Sequence, residues 1–164
     1  MNYEELDLKA NPGAFSTFDM EVLVPEVKKL KPGQIYLEIG VDKGKSLSVA
    51  RMVAKKGVIV YGVDLRDDPR VDDTIFIQAD STRAFIEEKV DVIFIDGDHS
   101  YEGCKADIDN WYPQMAEHGV MLFHDVDASS PGVVQAVEEF AKNNKLEVYY
   151  HPEQRCSMAR IYLP

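Results

Sequence analysis

The chain has 164 residues, with 18 Lys plus Arg against 29 Asp plus Glu, a net charge of −11 and 45% hydrophobic residues. That balance argues against nucleic acid and anionic membrane surfaces as partners, since both select a basic footprint. The length suits one domain whose core needs no staples. Cys104 and Cys156 stand far apart with no second pair, so they are expected as free thiols of a cytoplasmic protein, not a disulfide framework or a zinc knuckle.

The acidic start MNYEELDLK does not resemble a signal peptide, and no apolar run approaches the ~20 residues that span a bilayer. Residues 1–15, with Asn11-Pro12-Gly13, read as a flexible lead, leaving 16–164 as the folded domain. Met20, Leu23, Val24, Val27 and Leu30 keep helical spacing, with Pro25 placed in a first turn or at a kink. From Gln34 onwards two hydrophobic periods alternate. Strands are expected at 35–39, 58–63, 74–79, 91–95, 118–123, 145–150 and 157–163. Between them, Ser46 to Lys55 forms one helix, and Tyr101, Cys104, Ile108, Trp111 and Met115 mark a second. A third opens with Ser130 as N-cap and Pro131 at its first position.

This alternation predicts a single α/β domain with a mostly parallel sheet. Only HPEQRC separates the last two strands, so they form an antiparallel hairpin whose loop, 151–156, falls at the carboxyl edge of the sheet. Ligands of open α/β sheets bind along that edge.

The first strand runs into Glu38-Ile39-Gly40-Val41-Asp42-Lys43-Gly44-Lys45-Ser46, a glycine-punctuated turn of the kind that lets a ligand approach the backbone. Gly40 and Gly44 enclose three residues where a phosphate loop needs four, and Val41 and Asp42 leave only the outline of a dinucleotide fingerprint. Both phosphate readings also set Glu38 and Asp42 beside polyanions. A ligand with a cationic amine removes that conflict, and S-adenosylmethionine is one. Asp64 then ends the second strand where a carboxylate can take ribose hydroxyls, and Asp80-Ser81 ends the third within reach of an adenine amine.

With these residues in view, LEIGVDKGKS, YGVDLR, QADS, FIDGDHSYEGCKADIDNW, GVMLFHD and PGVVQAVEEF resemble a class I S-adenosylmethionine-dependent methyltransferase. The likeness is to the small group around macrocin and catechol O-methyltransferases and the cephalosporin hydroxylase-like proteins. It runs from about residue 20 to the end, and DGDHSYEG is its most specific block. The resemblance implies a Rossmann-like, seven-stranded sheet in order 3-2-1-4-5-7-6, with an antiparallel last strand and helices on both faces. It implies that Glu38, Gly40 and Gly44, flanked by Lys43 and Ser46, meet the methionine end of the cofactor. Asp64 with Leu65 would meet the ribose side, Asp80 and Ser81 the adenine, and Asp96 would border both cofactor and metal.

The fourth strand ends in Asp96-Gly97-Asp98-His99 and the fifth in His124-Asp125, so acids and imidazoles face each other from adjacent strands. Asp96 and Asp125 suit Mg²⁺, or Mn²⁺ if His124 also binds, and in the resembling enzymes a divalent ion holds two substrate oxygens. His99 matches the base position of the macrocin-like members. His151 and Arg155 are expected to touch substrate, and His118 to face solvent at the other end of the sheet. The expected activity is metal-assisted O-methylation of a small-molecule acceptor, a catechol-like phenol or a sugar hydroxyl, and a homo-oligomer could complete the site. A metal-dependent phosphoesterase built on Asp96, Asp98, His99, His124 and Asp125 is the competing enzyme. A non-catalytic S-adenosylmethionine or nucleoside-binding domain is the third reading.

Overall fold

The computed structural model describes residues 1–67, 69–152 and 156–164. Their elements are α1 (Tyr3–Lys9), α2 (Thr17–Lys29), β1 (Ile35–Ile39), α3 (Lys45–Val53), β2 (Ile59–Asp64), β3 (Ile75–Gln78), β4 (Val90–Ile95), α4 (Tyr101–Trp111), β5 (Met115–Phe123), α5 (Pro131–Asn144), β6 (Tyr149–Tyr150) and β7 (Ala159–Tyr162). The sheet order is β3-β2-β1-β4-β5-β7-β6. Strands β1 to β5 pair in parallel, whereas β7 is antiparallel to both β5 and β6.

Period-2 alternation sorts the central strands between two cores. Ile35, Leu37, Ile39, Ile93 and Ile95 pack with α4 and α5. Tyr36, Val92 and Phe94, from the same strands, pack with α1, α2 and α3. Because β1 and β4 are covered on both faces, they read as nearly continuous apolar runs. The sheet is therefore sandwiched, and its carboxyl edge remains as the open rim.

Several boundaries differ from the sequence expectation, each for a local reason. The periodic run through Met115 does not stay helical. Pro113 lacks the N–H that a continuing helix needs, so α4 ends at Trp111, a 3₁₀ turn covers Tyr112–Gln114, and Met115 opens β5. The strand expected at 145–150 shrinks to Tyr149–Tyr150 because Lys145 is the left-handed C-cap of α5 and the Leu146 N–H closes onto the Ala141 carbonyl. Pro25 sits in the interior of α2, away from its first turn.

The N-terminal fifteen residues are packed, contrary to the loose lead expected from their composition. Asn2 and Glu5 form a reciprocal capping box for α1, Leu6 is fully buried and Phe15 nearly so. Lys45 on α3 pairs with Asp7 at 2.7 Å. Asn11 then clamps the strap that follows: its N–H donates to Ser48 Oγ at 3.0 Å and its side-chain amide to the Lys43 carbonyl at 3.1 Å. One buried leucine in a charged segment carries no periodicity, which is why the helix was illegible.

Candidate active site

The carboxyl rim of the parallel strands frames a cleft of about 930 Å³. It collects Gly40 from the end of β1, Asp64 and Leu65 from β2, Asp80 and Ser81 after β3, Asp96 and His99 after β4, and His124 and Asp125 after β5. The adjacent strand ends converge because all five strands run the same way. A more open groove of about 670 Å³ lies against α5, lined by residues such as Pro131, Val134 and Tyr150, and gathers no comparable set of acids and imidazoles.

The glycine turn is shaped by protein contacts. Gly40 has φ +80°, and a Cβ there would stand 2.0 Å from the Asp96 carbonyl oxygen, so only glycine allows β1 and β4 to end side by side. Gly44, also left-handed, starts α3 and would meet Val71 and Pro69. Asp64 secures the turn from below: its Oδ2 accepts from the Asp42 N–H and its Oδ1 from the Arg66 N–H, each at 2.8 Å. Arg66 and Asp42 pair across the mouth.

Glu38 is placed differently from expectation. It is fully buried and accepts from the Tyr36 hydroxyl at 2.7 Å and the Ser46 hydroxyl at 2.6 Å, so neither it nor Ser46 lines the cleft. Burial pushes its carboxyl up to about 8 despite those hydrogen bonds. Lys43 is exposed and also outside the cleft.

At the opposite end of the cleft, Asp80 is exposed and accepts from the N–H and hydroxyl of Thr82. These bonds hold its carboxyl below the usual carboxylate range. Ser81 is gripped by α4. Its hydroxyl donates to Asp107 Oδ1 at 2.5 Å, and its carbonyl accepts from Asn110 and from the indole of Trp111. Asp107 lines the cleft yet is almost fully buried, and burial raises its carboxyl to about 6. The sequence reading missed Asp107. Its signal was an acid on the apolar face that carries Cys104, Ile108 and Trp111.

Asp96, His124 and Asp125 present one ligand atom each, all within 4.8 Å of one another. His124 Nδ1 lies 3.0 Å from Asp125 Oδ2 and 3.4 Å from Asp96 Oδ1. On the other side of the ring Nε2 lies 3.5 Å from Asp19 Oδ2. Burial alone would pull the imidazole down, but the carboxylates of Asp125, Asp19 and Asp96 around it push it up to about 12. His99 Nε2 stands 3.2 Å from Asp125 and 3.5 Å from Asp96, with half of its side chain exposed to the cleft. The Asp96 carboxylate beside it outweighs partial burial and raises its pKa. Two carboxylates and an imidazole at this spacing suit a divalent cation of the Mg²⁺ or Mn²⁺ type.

The remaining histidines separate. His118 is exposed at the far end of the sheet. His151 lies 3.4 Å from Glu21 of α2 and does not line the cleft, and Arg155 falls outside the described residues. Asp98 also lines the cleft, but its Oδ1 accepts from the Ser100 N–H at 2.8 Å, and among the described residues it does not join the ligand atoms that Asp96, His124 and Asp125 bring together. The five-residue cluster a two-metal phosphoesterase would need is therefore not assembled among the described residues.

Against known proteins, the family model of a methyltransferase domain matches residues 37–126, more than half of the chain. The chain belongs to this methyltransferase family. Around that segment, the methyltransferase domain has the class I S-adenosylmethionine-dependent fold. It superposes on cofactor-bound Rv0187 from MTB with a TM-score of 0.74 at 15% identity, over 99% of this chain and 86% of that one. MycE, a methyltransferase of the mycinamycin biosynthetic pathway in complex with Mg and SAH, gives 0.73 at 16% identity, covering 99% of this chain and 55% of that one. CalS11, a TDP-rhamnose 3'-O-methyltransferase of calicheamicin biosynthesis, gives 0.67 at 14%, covering 87% and 76%. In sequence, an uncharacterized protein of Sinorhizobium fredii, y4gI, is 39% identical over 46 residues, 28% of this chain and 5% of that protein. No helix among the described residues is long and apolar enough to cross a membrane.

Proposed function

We propose that this methyltransferase domain carries a methyl group from S-adenosylmethionine to an oxygen of a small-molecule acceptor, with a divalent cation held by Asp96, His124 and Asp125. The observation that carries the reading is their meeting within 4.8 Å at one end of a cleft whose other strand ends supply Gly40, Asp64, Asp80 and Ser81. When bound, the cofactor supplies an electrophilic methyl group and the cation supplies a Lewis acid that favours a deprotonated acceptor oxygen.

The chain's own residues divide the remaining work. Asp64 is already fixed by two backbone N–H groups, so its outward lone pairs are oriented for hydroxyl groups without further ordering. Leu65, largely exposed beside it, offers an apolar surface to a base. His99, half exposed to the cleft beside Asp96 and Asp125, receives the acceptor's proton as a general base. Glu38 acts beneath the turn, holding it to Tyr36 and Ser46, and does not touch the ligand. The net charge of −11 argues for a neutral or cationic small acceptor in preference to nucleic acid. MycE and CalS11, from two natural-product pathways, support a hydroxylated small molecule as the acceptor class.

Calorimetric titration with S-adenosylhomocysteine, followed by Mn²⁺, tests the reading. Binding of both is expected, with Mg²⁺-dependent methylation of a catechol or sugar acceptor that His99→Ala slows by about 10²- to 10⁴-fold. Absence of S-adenosylhomocysteine binding would overturn it. Binding without turnover on any acceptor would favour a non-catalytic nucleoside-binding domain.

A further inference from the structure

We propose that Asp19, in the first turn of α2, is a positioning residue that holds His124 in the orientation and tautomer of a metal ligand. The inference rests on the reading of Asp96, His124 and Asp125 as a divalent-cation site. A neutral imidazole has one N–H and one lone pair. Nδ1 is the nitrogen that faces Asp96 and Asp125, so it must carry the lone pair, and the proton belongs on Nε2. That nitrogen is buried, without a hydrogen bond of ideal geometry among the described residues, and the carboxylate nearest to it is Asp19 at 3.5 Å. A buried N–H with no acceptor would be costly.

Asp19 is built for this place. Only 4% of it is exposed, and its Oδ2 is fixed by the Ser16 N–H at 2.8 Å and the Ser16 hydroxyl at 2.6 Å. The ring itself is held between Phe15, 6.1 Å away, and Phe94, 6.0 Å away. The carboxylate, the imidazole and the two acids beyond it thus form one line from α2 into the cleft. Metal-bound histidines commonly donate their second N–H to a carboxylate, and loss of that partner weakens metal binding by about 10- to 100-fold. Asp19 and Phe15 precede the segment 37–126 that defines the family. The strap and α2 therefore contribute to the metal end of the site.

The test uses the full chain and Mn²⁺ alone, by calorimetry. Asp19→Asn is expected to weaken Mn²⁺ binding by about 10- to 100-fold, while leaving S-adenosylhomocysteine affinity and a cooperative melting transition intact. Ser16→Ala removes one of the two hydrogen bonds that fix Asp19 Oδ2 but keeps the carboxylate and the Ser16 N–H, and is expected to weaken Mn²⁺ binding less than Asp19→Asn does. In a His124→Ala background, Asp19→Asn should add no further loss, since the pair acts as one unit. Independently of any variant, ¹⁵N shifts of the Mg²⁺-loaded protein should show His124 protonated at Nε2. An Nδ1-protonated ring, unchanged Mn²⁺ affinity in Asp19→Asn, or a loss that persists without His124 would each overturn the proposal. Wild-type protein that binds S-adenosylhomocysteine but no Mn²⁺ would overturn the metal reading itself, and Asp19's role with it.

Discussion

Glu38 makes the stability of the cleft floor depend on pH. Its carboxyl stands at about 8 when folded against an ordinary value of 4.5, because burial disfavours the charged form. Between those values the folded chain keeps a proton that the unfolded chain has released. Stability is therefore fully present below about 4.5 and falls as pH rises towards 8. Glu38→Gln, whose neutral amide can exchange hydrogen bonds with the Tyr36 and Ser46 hydroxyls, is expected to flatten that decline. Melting temperatures compared at pH 5.5 and pH 9 check it, and a slope equal to that of the wild type would remove the account. Asp64 differs because it lines the cleft as well as holding the turn. Asp64→Ala loses two charge-assisted bonds to backbone N–H groups and is expected to weaken S-adenosylhomocysteine binding about 10-fold or more. Calorimetry with unchanged Mn²⁺ affinity as its control would separate this from general damage.

At the scale of elements, the N-terminal helix is part of the fold. Leu6 is fully buried while Leu8, two residues on, is 85% exposed. Leu6→Ala should therefore cost about 2–5 kcal/mol, and Leu8→Ala no more than about 0.5 kcal/mol. Urea denaturation followed by circular dichroism measures both. Equal, small effects would show that α1 contributes nothing to the core. The strap that follows α1 connects this stability to the site. Ala14 lines the cleft, and Phe15 packs against His124. A helix that holds the strap in place thereby limits the freedom of the imidazole.

For the whole molecule, the charge of −11 sets acids against each other on the surface and again at the rim. Screening should relieve this repulsion, so the melting temperature at pH 7.5 is expected to rise as NaCl goes from about 10 to 200 mM. Mg²⁺ at matched ionic strength should raise it further by binding only the folded state. Asp96→Asn with Asp125→Asn should abolish the Mg²⁺ increment and keep the NaCl response. An increment that survives both substitutions would place the cation elsewhere.

The alternation of strands and helices and the residues at the strands' carboxyl ends were legible because period-2 and period-3.6 patterns report directly on burial, and a parallel sheet puts each strand end on one rim, whereas the order of strands in the sheet came from the resemblance to class I methyltransferases. Gly40, Asp64, Asp80, Asp96, His99, His124 and Asp125 were all reached in this way. Tertiary structure decided what those patterns do not encode. Glu38 had the spacing of a ligand contact, but its oxygens are satisfied by Tyr36 and Ser46 within the sheet-helix interface. Asp19 was not reached from the sequence. Its meeting with His124, more than a hundred residues away in sequence, follows from α2 packing over the end of β5, a long-range contact that leaves no local periodicity for the sequence to display.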